Sequence, residues 1–238
     1  MLDLTGKAAI VTGGSRGIGL AIAEALVDRG AAVVVAARGP ADVERAAAAL
    51  GSRGHGAARG VVADVRSEAD CERLIAAAVE AFGRLDILIN NAGIGEFVNV
   101  EEMTTAAWRA QLATNLDGVF FCCRAAIPHL KRSGGWIINV ASLAARNAFA
   151  GGAAYNASKF GLLGFTEALM LEVRHAGIRV SCVMPGSVAT EFGSEAPGGA
   201  DWKLHSEDVA RAVVDLLAYP ARALPSRVEL RPTRPPKG

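Results

Sequence analysis

Short, almost uninterrupted runs of apolar residues alternate along the chain with longer segments whose apolar residues recur every three or four positions. The short runs are typical of strands buried on both faces, and the longer segments are typical of helices that cover such a sheet. This alternation predicts an α/β fold with a doubly wound parallel β-sheet and helices on both of its faces. The predicted strands cover residues 8–11, 31–37, 61–63, 86–89, 136–140, 178–183 and 227–230.

Helices are predicted between these strands, and glycine or capping residues mark several of their ends. The first helical pattern stops at Gly30, and Ser67 caps a helix that Gly83 ends. One long helical region is predicted from about Thr104 to Leu130, with Pro128 near its end as a terminator. The other helices are predicted at residues 41–50, 153–174 and 206–217, with loops at 51–60 and 193–200.

Neither a linker nor an internal repeat interrupts this order, so residues 1–238 are expected to form a single domain. A short substrate loop is expected at about 190–204, and a Pro-rich basic tail at 231–238. In open parallel sheets, ligands bind beyond the carboxyl ends of the strands. Unusual polar residues cluster at those ends of this chain, and they are the candidates for a functional site.

Composition and charge exclude several classes of function. Of the 238 residues 51% are hydrophobic, and 25 basic against 24 acidic residues give a formal net charge of +1. A strongly basic nucleic-acid binder is excluded because no excess of positive charge is present. No apolar run approaches the ~20 residues that span a bilayer, and the N-terminus lacks the apolar core of a signal peptide. A soluble, cytoplasmic protein is expected.

The cysteines and histidines are scattered along the chain without the spacing of metal ligands, so no metal site is expected. Buried, reduced thiols are the expected state of the cysteines in a cytosolic protein. These cysteines are Cys71, Cys122, Cys123 and Cys182.

A glycine-rich turn, Thr12-Gly13-Gly14-Ser15-Arg16-Gly17-Ile18-Gly19, joins the first strand to the first helix. Gly13 can adopt backbone angles that other residues avoid, Gly17 permits close approach of a diphosphate, and Gly19 lets the helix pack tightly on the sheet. The N–H groups and the dipole at the start of the helix attract phosphate. The turn therefore predicts a dinucleotide site, with a tight turn that binds no ligand as the alternative.

The end of the second strand indicates which dinucleotide binds. A site for NAD would usually carry Asp or Glu there to hold the ribose 2′-hydroxyl, whereas this chain has Arg38, with Arg16 in the glycine turn. Two guanidinium groups can hold a 2′-phosphate through charge-assisted hydrogen bonds. The prediction is NADP(H) in preference to NAD(H), and two solvated surface arginines are the alternative.

Four further residues form a candidate catalytic set. Tyr155 and Lys159 stand four positions apart on a predicted helix, so both project from one face. Ser142 follows the fifth strand at its carboxyl end, and Asn115 lies in the helical region before it. Taken singly, such residues are usually core-edge, solvated or capping residues.

The ordered set of motifs resembles the short-chain dehydrogenase/reductase family, whose fold is a single Rossmann-type domain. The resemblance runs from Thr5 to about Thr233 and includes Asn90-Asn91-Ala92-Gly93 and Pro185-Gly186. It implies an NADP(H)-dependent oxidoreductase, such as a carbonyl reductase, that transfers hydride between nicotinamide and a carbonyl or secondary alcohol. It also implies a homo-oligomer, a tetramer or dimer, formed through the helices that contain Asn115 and Tyr155.

The resemblance also implies the catalytic roles. Tyr155 would be the general acid/base, and Ser142 would hydrogen-bond the reacting oxygen. Lys159 would hold the nicotinamide ribose, and Asn115 would anchor a proton-relay water. A free tyrosine has a pKa near ~10, so Lys159 and the oxidised nicotinamide are expected to favour the phenolate.

Further cofactor contacts are implied by the resemblance alone. Asp64 would hydrogen-bond the adenine amino group beside Val65, with a helix-capping turn as the alternative for Asp64. Residues 91–93 would pack along the adenine ribose, although Asn91 would also suit a role in tying strands together. Residues 185–190 would fix the carboxamide face of nicotinamide. The full predicted set is Gly13, Ser15, Arg16, Gly17, Ile18, Gly19, Arg38, Asp64, Val65, Asn91, Ala92, Gly93, Tyr155, Lys159, Pro185, Gly186, Val188 and Thr190.

The substrate side is less specified. Residues near the motifs suggest a moderately apolar pocket, and a lid that orders on substrate binding is expected after Thr190. The ending at residues 228–233 resembles 3-hydroxy-acid and serine dehydrogenases more than 3-oxoacyl-carrier-protein reductases. Reduction of 3-oxoacyl thioesters and oxidation of 3-hydroxy acids both stay open, as do a non-catalytic dinucleotide sensor and an S-adenosylmethionine-dependent methyltransferase. The candidate pocket residues are Leu143, Ala144, Phe149, Gly95, Phe97, Ser187 and Phe192.

Overall fold

The computed structural model describes residues 2–190, 192 and 201–236. Its seven strands are β1 (Ala8–Thr12), β2 (Ala32–Ala37), β3 (Ala58–Val62), β4 (Ile87–Asn90), β5 (Trp136–Val140), β6 (Arg179–Pro185) and β7 (Arg227–Leu230). They form one parallel sheet in the order β3-β2-β1-β4-β5-β6-β7. The predicted fold class is confirmed.

Helices cover both faces of the sheet: α1 (Gly17–Val27), α2 (Pro40–Gly51), α3 (Glu68–Phe82), α4 (Thr105–Leu112), α5 (Gly118–Ser133), α6 (Ala153–Val173) and α7 (Ser206–Leu217). One hydrophobic core joins the sheet to α3, α5 and α6, with Leu74 and Leu162 buried in it. The other joins the sheet to α1 and α7, with Ile22 and Val213 buried in it. Strands β1, β4 and β5 are buried throughout, as their uninterrupted apolar runs predict.

The order in which the chain adds strands to the sheet changes direction at β1. From β1 the chain adds β2 and β3 on one side, and it then crosses to the other side for β4 to β7. Because all neighbouring strands are parallel, their carboxyl ends lie along one edge of the sheet. The connections diverge at that edge between β1 and β4, which is where a ligand cavity is expected.

Capping residues fix the ends of α3 as predicted. The Ser67 hydroxyl accepts a hydrogen bond from the Asp70 N–H at 3.3 Å, so it satisfies one of the free donors at the helix start. Gly83 ends the helix in the left-handed conformation, with φ of 72°.

The prediction of one helix from Thr104 to Leu130 is wrong in its detail. Helix α4 ends at Leu112, a turn of π-helix covers Ala113–Asp117, and α5 continues to Ser133. Pro128 therefore lies inside α5 and does not terminate it. Gly134 terminates it instead, because its φ of 63° turns the chain into the left-handed region and its N–H bonds the Leu130 carbonyl.

Other element boundaries differ from prediction by a few residues. Helix α1 ends at Val27, and Gly30, with φ of 86°, lies in the turn after it. Strand β3 begins at Ala58, inside the predicted loop 51–60, because an edge strand is half exposed and needs no continuous apolar run. The predicted loop 193–200, and with it part of the expected lid, lies outside the described residues, as do tail residues 237–238.

Three further features concern the cysteines, membrane-spanning helices and clusters of metal ligands. All four cysteines are buried and carry free thiols. Across the described ranges, no helix has the length and apolar character needed to cross a membrane. The same residues contain no cluster of three His, Cys, Asp or Glu side chains that could hold a metal ion.

Candidate functional site

A cavity of about 1130 Å³ opens at the carboxyl edge of the sheet. Every residue of the predicted cofactor set lines it, as do Ser142 and the candidate pocket residues other than Gly95. The chain segments that meet there follow β1, β2, β3, β4, β5 and β6, together with the start of α6. Residues far apart in sequence are thus brought together because parallel strands end at one edge.

The glycine turn at the floor of the cavity has no room for side chains at Gly13, Gly14 and Gly19. A Cβ at Gly14 would lie 2.9 Å from the Val11 carbonyl oxygen and from the Val35 side chain. Gly13 has φ of 64°, and a Cβ there would lie 2.9 Å from the Ala92 Cα. A Cβ at Gly19 would collide with the Gly13 carbonyl oxygen and the Asn91 side-chain nitrogen. Gly19 was expected to permit packing of the helix on the sheet; its closest neighbours are instead the turn itself and Asn91.

Asn91 ties the ends of β1 and β4 together. Its Nδ2 donates to the carbonyl oxygens of Thr12 and Gly13 at 3.0 and 3.2 Å. The Thr12 hydroxyl oxygen in turn accepts from the N–H groups of Asn91 and Ala92 at 3.0 and 3.1 Å. Asn91 therefore ties the two strand ends together, with Thr12 as a partner that no motif indicated, and its contact with the adenine ribose stays a prediction.

Three arginines line the cavity beyond β1, β2 and β3. Arg16 and Arg38, both members of the predicted cofactor set, are exposed there, and Arg66 is a third that the sequence patterns did not single out. The Asp64 carboxylate pairs with the Arg66 guanidinium, with Nε at 3.0 Å, and accepts from the Arg66 N–H at 3.0 Å. The Arg66 hydrogen bond lowers the pKa of Asp64, so Asp64 is ionised at neutral pH.

Tyr155 lies in the first turns of α6 and is buried at the cavity wall. Burial raises its pKa, because the phenolate is poorly solvated there, and a hydrogen bond with Ser142 partly offsets that effect. The Ser142 hydroxyl oxygen also accepts from the Ala144 N–H at 3.1 Å. Burial therefore has a larger effect on the pKa of Tyr155 than the hydrogen bond does when no coenzyme is bound. The sequence had led us to expect a lowered pKa, caused by Lys159 and the oxidised nicotinamide.

Lys159 lies one helical turn beyond Tyr155 and is also buried. Its Nζ donates to the Val140 carbonyl at 3.1 Å and lies 5.7 Å from the centre of the Tyr155 ring. Burial lowers the pKa of Lys159 to about 8, because a charged ammonium loses solvation in this position. The tyrosine and the lysine therefore face one cavity together, as their spacing predicted.

Asn115 lies in the π-helical turn and does not line the cavity. Its Nδ2 donates to the Ile94 carbonyl at 2.9 Å and to the Ser158 hydroxyl at 3.0 Å. Its Oδ1 accepts from the Ile94 N–H at 2.9 Å. Both amide hydrogens of Asn115 are used within the protein, so the side chain holds the loop after β4 against α6.

The substrate end of the cavity contains residues that sequence analysis did not name. Leu143, Phe149 and Ser187 line it as expected, while Gly95 lies behind the lining. Several unpredicted lining residues come from the turn after β5, the segment before α7 and the chain after β7, and they follow no motif that could have revealed them. Among them are Asn147, Ala148, Trp202, Lys203 and Arg231.

The short chain dehydrogenase family has a sequence model that matches residues 7–199. Dehydrogenase/reductase SDR family member 4 of Oryctolagus cuniculus is 41% identical over 191 residues, which cover 79% of this chain and 73% of that protein. The D-threitol dehydrogenase of Mycolicibacterium smegmatis is 40% identical over 197 residues, covering 82% of this chain and 75% of that protein.

Two solved structures are similar over nearly the whole chain. An alcohol dehydrogenase from the archaeon Thermococcus sibiricus, complexed with 5-hydroxy-NADP, has a TM-score of 0.92 at 29% identity and covers 98% of this chain and 99% of its own. A metagenomic short-chain oxidoreductase in complex with NADP has a TM-score of 0.85 at 35% identity, with the same coverage of each chain. Both similar proteins bind a nicotinamide dinucleotide phosphate.

Proposed function

The chain belongs to the short-chain dehydrogenase family, and from that membership we propose that it is an NADP(H)-dependent oxidoreductase with Tyr155 as its general acid/base. In this proposal it transfers hydride between nicotinamide and a carbonyl or secondary alcohol. The observation that carries the proposal is that Tyr155, Ser142 and Lys159 share one cavity with the glycine turn.

The residues of the turn and of β2 fit the proposed dinucleotide. The turn excludes side chains at Gly13 and Gly19, and α1 starts there without an acidic residue in its first turn. Such a helix start favours a phosphate, and Arg16 and Arg38 supply cations for a 2′-phosphate. The coenzymes named for the two similar structures support NADP(H).

Tyr155 would move the proton of the reaction. When bound, the dinucleotide supplies or accepts a hydride at the substrate carbon. In reduction, the Tyr155 hydroxyl donates its proton to the carbonyl oxygen, and the product is an alcohol. The raised pKa of Tyr155 keeps it protonated at neutral pH, which is the form that donates.

Ser142 and Lys159 would assist that proton transfer, Ser142 at the reacting oxygen and Lys159 at the coenzyme. The Ser142 hydroxyl bonds Tyr155, so it is placed to share the reacting oxygen and to stabilise its developing charge. Lys159 reaches the cavity beside the tyrosine ring, where it would hold the nicotinamide ribose. Asn115 would act as a positioning residue through Ile94 and Ser158, and the relay water assigned to it stays a prediction.

A coenzyme-coupled substrate screen tests the proposed function. The purified chain is incubated with NADPH and simple ketones, 3-oxoacyl thioesters or 3-oxo acids, and with NADP⁺ and the corresponding alcohols. We expect turnover of at least one ketone–alcohol pair, read from the absorbance of the reduced nicotinamide. Coenzyme binding without turnover across the whole panel would support a dinucleotide sensor instead. Selective thermal stabilisation by S-adenosylmethionine would support a methyltransferase.

A homo-oligomer formed through α5 and α6 is part of the proposal. Three large apolar side chains on these helices stay 41–52% exposed: Phe120, Phe160 and Leu171. Exposed apolar residues gathered on neighbouring helices are typical of a subunit interface. We expect sedimentation equilibrium to give a dimer or tetramer, and a monomer at all concentrations would contradict this. A cytoplasmic location also stays a prediction, for cell fractionation to check.

A further inference from the structure

Three half-exposed phenylalanines line the cavity on the side of Tyr155. Phe97, Phe149 and Phe192 line it, and they are 46%, 45% and 40% exposed. The Phe97 ring meets the Tyr155 ring edge-on with 5.4 Å between centroids, and the Phe192 centroid lies 5.8 Å from that of Tyr155. Phe149 continues the series, with its centroid 5.6 Å from that of Phe97. We call these three residues the aromatic wall.

Two glycines let the aromatic wall sit where it does. A Cβ at Gly95 would lie 2.8 Å from Cε1 of Phe192 and 2.9 Å from Cζ of Phe97. A Cβ at Gly152 would lie 2.6 Å from the Phe149 ring. Each ring therefore rests on bare backbone, and any side chain at these glycines would displace it.

The segment that carries Phe149 is also tied to the catalytic helix. Asn156, the neighbour of Tyr155 on α6, donates from Nδ2 to the carbonyls of Ala144 and Asn147 at 2.7 and 3.1 Å. Its Oδ1 accepts from the Phe149 N–H at 3.3 Å. Because Asn156 is buried, these bonds hold Phe149 at a fixed position relative to Tyr155.

Aromatic residues are otherwise scarce in this chain. Eight Phe, three Trp and two Tyr make up only 5% of the sequence, yet the aromatic wall, Tyr155 and Trp202 all line this one cavity. An apolar ligand in this concave site would bury the exposed surface of the rings together with its own apolar surface, and that burial favours binding. The ring edges and faces also favour contact with another aromatic ring.

We propose that the substrate is a ketone, or the matching secondary alcohol, whose carbonyl carbon bears a planar aromatic substituent held by the aromatic wall. This inference rests on the proposed function and adds the substrate class. The substituent packs among the rings while the oxygen meets Tyr155 and Ser142. In reduction, NADPH would supply the hydride that forms the new C–H bond and would become NADP⁺. The Tyr155 O–H bond would break to form the alcohol O–H bond, and the C=O π bond would be lost. A polyhydroxylated substituent in the place of the aromatic ring is disfavoured, because the phenyl rings of the aromatic wall offer its hydroxyls no hydrogen-bond partners.

Matched substrates test the inference. The rates of reduction by NADPH are compared for phenyl methyl ketone, butanone and dihydroxyacetone. We expect kcat/KM to be at least tenfold higher for the phenyl ketone than for either of the others. The variants Phe97→Ala and Phe149→Ala should each lower the ratio of phenyl ketone to butanone at least fivefold. The control is Tyr219→Ala, an aromatic residue 46% exposed outside the cavity, which should keep the wild-type ratio.

The outcomes separate this inference from the proposed function. Reduction of dihydroxyacetone at a kcat/KM equal to or above that of the phenyl ketone would overturn the aromatic inference and leave the oxidoreductase intact. An undiminished phenyl preference in folded Phe97→Ala and Phe149→Ala would overturn it too. If no substrate turns over in either direction, the proposed function fails. Calorimetric binding of phenyl methyl ketone to the NADPH-saturated protein, weakened in Phe97→Ala, would still support the aromatic wall, and equal binding would overturn it.

Discussion

Lys159 illustrates how the burial of an ionisable side chain lowers the stability of the fold at neutral pH. Only 4% of the residue is exposed, and its Nζ has a hydrogen bond to the Val140 carbonyl. Burial brings its pKa from 10.5 down to about 8. Between these two values the unfolded chain holds a proton that the folded chain has released, so stability rises with pH across this window.

The variant Lys159→Met should therefore be more stable than the wild type at pH 7. The pKa shift corresponds to about 3 kcal/mol, and loss of the hydrogen bond to Val140 offsets about 1 kcal/mol of it. We expect a gain of roughly 2 kcal/mol in the free energy of unfolding at pH 7, measured in urea. The gain should shrink as the pH rises from 8 toward 10.5. A difference that is constant or grows with pH would contradict the role of burial.

Arg38 is the residue on which the proposed preference for NADP(H) depends. In Arg38→Asp, we expect the Kd for NADPH to rise by roughly 10- to 100-fold, since a charge-assisted hydrogen bond is lost and a like charge replaces it. The Kd for NADH should change by less than about threefold, within the small range of a surface charge effect. Arg59→Asp, the same charge change on the exposed part of neighbouring β3, is the matched control. Equal losses for both coenzymes would show that Arg38 does not contact the 2′-phosphate.

Single residues were predictable where one local rule decides them. Tyr155 and Lys159 share a face because a helix repeats every 3.6 residues, and Gly13 lies in a tight turn because few other residues tolerate a positive φ. The pKa directions of Tyr155 and Lys159 were not predictable, because they depend on burial that long-range packing creates.

At the scale of an element, the turn between β1 and α1 makes the sharpest prediction. Gly19→Ala would gain helix propensity, yet its Cβ meets the Gly13 carbonyl and the Asn91 side chain. We expect a loss of about 1–3 kcal/mol in the free energy of unfolding and weaker NADPH binding. Gly51→Ala at the end of α2, away from the proposed subunit interface, is the matched control, since nothing lies within 4 Å of its Cβ. That substitution should stabilise the chain by about 0.5–1 kcal/mol. The melting temperatures of both variants check this prediction. Shifts of the same sign relative to the wild type would contradict it.

Strands and capped helices were predictable from the sequence, whereas the break between α4 and α5 was not. The apolar period continues across residues 113–117, so nothing local distinguishes a π-helical turn there. The turn places Asn115 for contacts with Ile94 and Ser158, which belong to other elements. Pro128 was wrongly predicted to end the helix for a related reason. Proline disfavours a helix interior, but packing against other elements can hold the helix together around it.

At the scale of the whole molecule, the parallel sheet explains why the candidate site was largely predictable. The glycine turn, residues 91–93, Ser142 and Pro185-Gly186 lie at the carboxyl ends of strands, and parallel strands bring these segments to one edge. The Tyr155/Lys159 pair reaches the same edge from the start of α6. Residues without a motif were missed: Arg66 lies in the turn before α3, Trp202 and Lys203 lie before α7, and Arg231 follows β7. No periodicity specifies that these segments reach the cavity.

The most direct test of the catalytic claim compares the wild type with Tyr155→Phe in the NADPH-dependent reduction of a ketone that the wild type accepts. Loss of the hydroxyl removes the proton donor but keeps the ring contacts with Phe97 and Phe192. We expect kcat to fall by roughly 10²- to 10⁴-fold, with the Kd for NADPH and the melting temperature close to those of the wild type. A Tyr155→Phe variant that reduces the ketone at the wild-type rate would show that the proton comes from elsewhere.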